Sequence, residues 1–202
     1  MFADIKINDP EVVPQRITNY LRNRNELQTF LCFSIVVAGK NSKIQSKKLK
    51  EFYDSRILHG QTHSNVFDYI RYLKSNSALV PELMLVKMGQ YTRISKAFTE
   101  LVDSKLNLFT CSLEDLISIN GVSLKTANFF LTHSRASYNE PVLDTHILKF
   151  LGSKGIKVPK NSPQSIKIYK KLSDKFKEIA RQMGKSIAEL DLQIWKQSSM
   201  KG

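Results

Sequence analysis

The chain has little of what would place it in several large classes of protein. It carries two cysteines, Cys32 and Cys111, so neither a disulfide framework nor a four-cysteine iron–sulfur loop can be built. Both read as buried free thiols. Glycine and proline are sparse, eight and six in 202 residues, and they form neither a low-complexity tract nor a repeat. Long apolar runs are missing. The longest, Phe30 to Ala38 with Ser34 inside it, is roughly half of what a bilayer requires. The first ten residues lack the charged and then apolar pattern of a secretory leader, so a cytoplasmic protein away from membranes is expected. Acidic residues are also scarce, 18 against 31 lysines and arginines, and the resulting net charge of +13 points to a polyanionic partner.

Alternation with period two over strand length is absent too, and the periodicity that is present is helical, which predicts an all-α fold. Val12 to Arg22 reads as a short helix with Pro14 in its first turn. Leu27 to Ala38 reads as a nearly all-apolar, hence central, helix. Further helices are predicted over Ser42–Tyr53, Val66–Leu73, Pro81–Met88 and Arg93–Val102. Ser112 with Asp115 is a capping-box signature, as is Ser186 with Glu189 before a last helix Ile187–Lys196. Ser162-Pro163 is read as opening a long helix that runs to about Met183, with Gly184 closing it.

The chemistry concentrates in residues 116–146. Leu116, Ile119, Val122 and Ala127 form the apolar contacts of two helical patterns joined at Gly121, which permits a sharp turn. The amides of Gly121 to Ser123 and of the helix start would face outward and could hold a phosphate oxygen. Lys125 lies just inside the second helix, and Asp144 follows nineteen residues later within Val-Leu-Asp-Thr-His. Breaking an N-glycosidic bond needs a carboxylate to stabilise a cationic sugar and a nucleophile on the face opposite the departing base. Lysine and aspartate are residue types that supply these. Asp144 also fits the N-cap of a helix Thr145–Leu151, a role compatible with catalysis, and His146 beside it reads as a core or capping group.

The pattern Leu-x-x-Ile-x-Gly-Val-x-x-Lys-x-Ala, with Lys125 and Asp144 at this spacing, resembles the helix-hairpin-helix DNA glycosylase superfamily that includes endonuclease III and 8-oxoguanine glycosylase. Asn120 and Ser123 depart from the proline and second glycine common there, and both tolerate turn or cap positions. The resemblance implies one unit over 1–202 made of two helical lobes around a cleft: a middle lobe 42–135 containing the hairpin 112–135, and a second lobe from 1–41 plus 136–202. It implies a monomer acting on double-stranded DNA, with Lys125 and Asp144 catalytic and residues Asn120, Gly121, Val122 and Ser123 gripping the backbone. Either Lys125 attacks C1′, which brings AP lyase activity, or Asp144 directs water. With two cysteines the likeness is to the cluster-free branch. No cofactor is implied, save a sodium or potassium ion that family members often hold through hairpin carbonyls, here those of Ile117, Ile119 and Val122.

Base flipping needs a wedge and a pocket. The family places its wedge after the buried N-terminal helix, where this chain has Gly39, Lys40 and Asn41; Gly39 reads equally as an ordinary helix end. Asp191 and Trp195, four residues apart on one helix face, resemble the pair with which 8-oxoguanine glycosylases meet the extruded base, and Phe129 is a further candidate for the wall. A lone tryptophan on an amphipathic helix equally suits a core. His59-x-x-x-His63 has ligand spacing, but no third ligand completes a zinc set. The Val-Ala-Gly-Lys-Asn, Leu-Asp-Thr-His-Ile-Leu-Lys-Phe-Leu and Ala-Glu-Leu-Asp-Leu-x-Ile-Trp segments together resemble small proteins labelled α-glutamyl/putrescinyl thymine pyrophosphorylase, clade 3. That label implies relatives of glycosylases associated with hypermodified phage pyrimidines, and a phage-defence role. Excision of 8-oxoguanine in repair is the second expectation, and a DNA-binding module without chemistry is the third.

Overall fold

The computed structural model describes residues 12–60 and 65–199, and among them ten α-helices and two short 3₁₀ turns occur, with no strand. The all-α expectation holds for these residues. In order they are α1 (Arg24–Val36), α2 (Ser42–Asp54), α3 (Val66–Ser75), α4 (Leu79–Leu85), α5 (Tyr91–Asp103), α6 (Leu113–Ile117), α7 (Leu124–Ser134), α8 (Thr145–Ser153), α9 (Ile166–Gln182) and α10 (Ile187–Ser199). None is long and apolar enough to cross a membrane.

Helix α1 starts where Asn23 and Glu26 close a reciprocal capping box, at 3.0 and 2.7 Å. Every residue from Leu27 to Val36 is buried, as a helix apolar on all sides must be. It runs through the larger of two apolar clusters, packed against α2, α3, α5 and α7. The smaller cluster is built by α8, α9 and α10, through side chains such as Leu148, Phe176 and Leu190. Helix α7 serves both: Ala127, Phe130 and Leu131 enter the larger cluster, Leu124 the smaller. The ten consecutive buried side chains of α1 find their neighbours in helices from the middle of the chain.

Two helix assignments need correction. Val12–Arg22 contains only a 3₁₀ turn, Pro14–Arg16. The backbone after it is drawn away from helical bonding: the Asn19 amide donates to the His133 carbonyl at 3.0 Å, and Arg22 reaches the carbonyls of Ile17, Asn19 and His133. Helix α9 begins at Ile166, with Pro163 buried in the preceding connection. Its place is set by buried Tyr169, whose hydroxyl donates to the Pro141 carbonyl at 2.7 Å and accepts from the Leu143 amide at 3.1 Å. The capping signatures at Ser112/Asp115 and Ser186/Glu189 are both formed. Cys32 and Cys111 are free and buried, and burial pushes both thiols up from their ordinary range.

Candidate functional site

Distant parts of the chain meet around one cavity of about 480 Å³. The end of α1 and the loop Gly39-Lys40-Asn41 form one wall, α7 supplies Lys125, Phe129 and His133, the head of α8 supplies Asp144, and α10 supplies Asp191 and Trp195. The structure therefore gathers the two expected catalytic residues, the three expected pocket residues and the expected wedge loop on a single surface. The turn residues 120–123 are not part of its lining.

That turn, between α6 and α7, packs on α5. Gly121 has φ +83°, and a Cβ there would stand 3.1 Å from the Arg93 Cγ and 3.2 Å from the Arg93 carbonyl oxygen, so both conformation and space call for glycine. The Arg93 guanidinium donates to the Gly121 carbonyl at 3.1 Å and to the Ile35 carbonyl at 2.8 Å, tying the turn to α1. Of the amides expected to face outward, that of Val122 closes the turn onto the Ile119 carbonyl at 3.0 Å, and just before them Asn120 donates to the Glu100 carboxylate at 2.6 Å. Gly121 and Ser123 keep backbone amides with no hydrogen bond among the described residues. Of the three carbonyls expected to hold a monovalent cation, that of Ile119 is engaged by Val122. No group of three or more His, Cys, Asp or Glu could hold a metal ion among the described residues. His59 pairs with Glu82 at 3.1 Å, and His63 lies outside the described residues.

Ser123 caps α7, accepting from the Thr126 amide, which puts half-buried Lys125 in the first turn. Phe129 follows one turn later, its ring 5.7 Å from Phe30 and 6.4 Å from Phe33. Asp144 caps α8: Oδ1 accepts from the amides of His146 at 2.8 Å and Ile147 at 2.9 Å. Both bonds fall on one oxygen, so capping leaves Oδ2 outside the cap. The segment that carries Asp144 is fastened from several sides. Thr132 donates to the Glu140 carbonyl at 2.6 Å, the Glu140 carboxylate takes Ser173 and Lys177, and Tyr169 bonds to Pro141 and Leu143. The Asp144 amide itself donates to the Val142 carbonyl at 2.6 Å.

Asp191 differs. Only 6% exposed, it accepts from or donates to His133 through Oδ2 at 3.2 Å, and its Oδ1 is buried without a formed hydrogen bond. Burial raises its pKa, opposed by His133 and by the neighbouring Val142 amide and reinforced by Asp144. His133 in turn meets the Thr18 hydroxyl through Nδ1 at 2.8 Å. Sequence reasoning missed His133, although the signal was present: Lys125, Phe129 and His133 stand at four-residue steps and so share one helix face. It missed Arg93 as well, for which no local signal exists. At the wedge loop, Asn41 is exposed and caps α2 by accepting from the Ile44 amide, while the Lys40 ammonium lies against Gly89.

No protein-family model matches the chain, and no solved structure matches it.

Proposed function

We propose that this protein is a DNA glycosylase that flips a modified base out of duplex DNA into the cavity and excises it, with bulky modified pyrimidines of phage DNA as the substrate class and an abasic site as product. The observation that carries this reading is the convergence of Lys125, Asp144, Phe129 and Trp195 on one cavity whose volume suits a small ring with substituents. The +13 charge and the unbonded amides at the start of α7 supply the grip on phosphate.

In this reading the base lies against Phe129 and Trp195, and Asn41 or Lys40 fills the vacated stack. Asp144 faces the sugar and stabilises positive charge as the bond from C1′ to the base nitrogen breaks. The base departs with the bonding electron pair and takes up a proton. Lys125 Nζ bonds to C1′ from the other face; ring opening and loss of a proton give an imine, from which β-elimination releases the 3′ phosphate. If water takes the place of the amine, the same cavity releases the base alone and the strand stays intact.

The test is base release from duplex oligonucleotides and phage genomic DNAs carrying modified pyrimidines, with 8-oxoguanine duplexes in the same panel. Release of a modified pyrimidine, a borohydride-trapped adduct in wild type and its loss in Lys125→Gln are the expected results. Base release without any adduct assigns the attack to water. Release from none of the substrates leaves a DNA-binding module. Affinity for abasic-analogue duplex is expected to fall steeply as salt rises, and a salt-independent affinity removes DNA as the partner.

A further inference from the structure

At the opposite end of α1 from the Gly39 loop lies a second cavity, of about 540 Å³, which shares no lining residue with the first. Two helices form walls of it. Arg24 and Gln28 stand one turn apart on α1, and Phe67 and Arg71 one turn apart on α3. The segment 105–109 that follows α5 adds Lys105 and Phe109. Its shape is fixed by its own bonds and by α7: the Phe109 amide donates to the Asn107 side chain at 3.0 Å, and Arg135 donates to the Leu108 carbonyl at 3.0 Å. Lys105 opens the segment with φ +52°, a left-handed backbone that few residues other than glycine adopt.

Gln28 is only 7% exposed, and its Oε1 is buried without a hydrogen bond among the described residues. Turned over, the amide would put an N–H donor in the same unmet position. Either way the cavity wall holds a polar group that a ligand atom can satisfy. The rest of the lining includes three cations and no acid. Arg71 is steered by Asp68 at 2.7 Å, whereas Arg24 and Lys105 have no hydrogen bond or ion pair among the described residues. Phe109 is exposed although large and apolar, and with Phe67 it gives the lining two aromatic rings. A ligand that meets all of this carries a negative group for the cations, a flat ring for the phenylalanines and a polar ring edge for the amide. We propose that this cavity is a second binding site, for a nucleotide, with the phosphate toward Arg24, Arg71 and Lys105, the base edge on Gln28 and the base face on Phe109. Its volume falls in the range of about 300–1,000 Å³ that suits small ligands. Such a unit comes either as a free nucleotide or as an unpaired position of a strand. The site stands independently of the glycosylase reading, which puts the excised base in the other cavity.

The test is an NMR titration of the full chain with the four deoxynucleoside monophosphates, inorganic phosphate and a short oligothymidylate. The amides of Gln28, Arg71 and Phe109 report this cavity, and those of Lys125 and Asp144 report the other. At least one monophosphate is expected to shift the first set saturably and to bind more tightly than inorganic phosphate. Its Kd should rise about threefold or more in Gln28→Met, which removes the amide at similar size, while the Kd of inorganic phosphate stays within about twofold. In the double variant Arg24→Ala with Lys105→Asn, the Kd of the nucleotide should rise at least about tenfold. Both positions are exposed and asparagine tolerates the left-handed backbone, so this variant decides the matter if Gln28→Met does not fold. Shifts confined to Lys125 and Asp144, or an unchanged Kd in the double variant, overturn the proposal. So does inorganic phosphate binding as tightly as every nucleotide, which would leave only an anion patch. Oligothymidylate binding at the same amides at least about tenfold more tightly than the monophosphate assigns the site to a strand, and equal or weaker binding assigns it to the free nucleotide.

Discussion

Asp144 at the head of α8 and Asp191 in the middle of α10 line the same cavity, yet they are built for opposite conditions. Asp144 is partly exposed, sits at the positive end of a helix and receives two backbone amides on one oxygen. Asp191 is sealed, with one oxygen on an imidazole, the other unbonded and burial acting against its charge. The carboxylate that takes two amides on one oxygen and keeps the other outside the cap suits work on a developing cation. The one whose charge is penalised suits a fixed internal contact. Residue type is the same in both; the direction of the neighbouring N–H groups separates them.

The sharpest way to break this comparison is Asp144→Asn. Asparagine is as good an N-cap as aspartate, so α8 should survive and the fold with it. What is lost is the negative charge, and a single electrostatic group of this kind is commonly worth about a hundred- to thousand-fold in rate. Base release should fall by that much while binding to abasic-analogue duplex persists. A loss below about tenfold would assign the charge stabilisation elsewhere in the cavity and erase the distinction between the two carboxylates.

On the Asp191 side, Trp195 occupies the next turn of α10 and also lines the cavity. If the ring stacks on the extruded base, Trp195→Ala forfeits a contact of about 1–3 kcal/mol per base, or about five- to hundred-fold in turnover. Affinity for an abasic analogue, which has no base to stack, should barely change. Equal losses on both, or a variant that does not fold, would return Trp195 to the packing between helices, and α10 would then offer the base no stacking surface.

Local features were legible in the sequence, and distant ones were not. The caps at Ser112, Asp144 and Ser186 and the turn at Gly121 involve groups within three or four residues, so residue type and spacing reveal them. Leu116, Ile119, Val122 and Ala127 are buried as their spacing predicts. The N-terminal segment was misread as a helix because its decisive partner, His133, lies more than a hundred residues away. Asn120 was expected among the residues that grip the DNA backbone, and nothing near it in sequence signals that Glu100 takes its amide. Asp191 and Trp195 were placed on one face correctly, since the helix period fixes that; which of the two is sealed depends on α7 and the N-terminal segment, and periodicity carries no such information.

The smallest effect, and the one that bears most directly on the buried carboxylate, is in stability against pH. Burial raises the folded-state pKa of Asp191 above its unfolded value, so between the two the native state binds the proton that the unfolded chain has already released. There the unfolded state holds fewer protons than the native state, and the slope of unfolding free energy with pH is negative for this group. Its contribution is therefore fully present below the ordinary carboxylate range and is lost as pH rises through the elevated folded pKa. Asp191→Asn removes the titration and nothing else that ionises. The difference in Tm between variant and wild type should accordingly shift in favour of the variant as pH is raised from below the ordinary carboxylate range through the elevated folded pKa, then level off. The cost of replacing the carboxylate contact with His133 offsets the whole curve and does not alter that shape. Thermal unfolding of both proteins across that range checks it, and parallel curves would mean that Asp191 is charged in the folded protein as readily as in the unfolded chain. In that case the N–H groups of His133 and Val142 compensate burial completely, and the two carboxylates differ in access to the cavity but not in the cost of their charge.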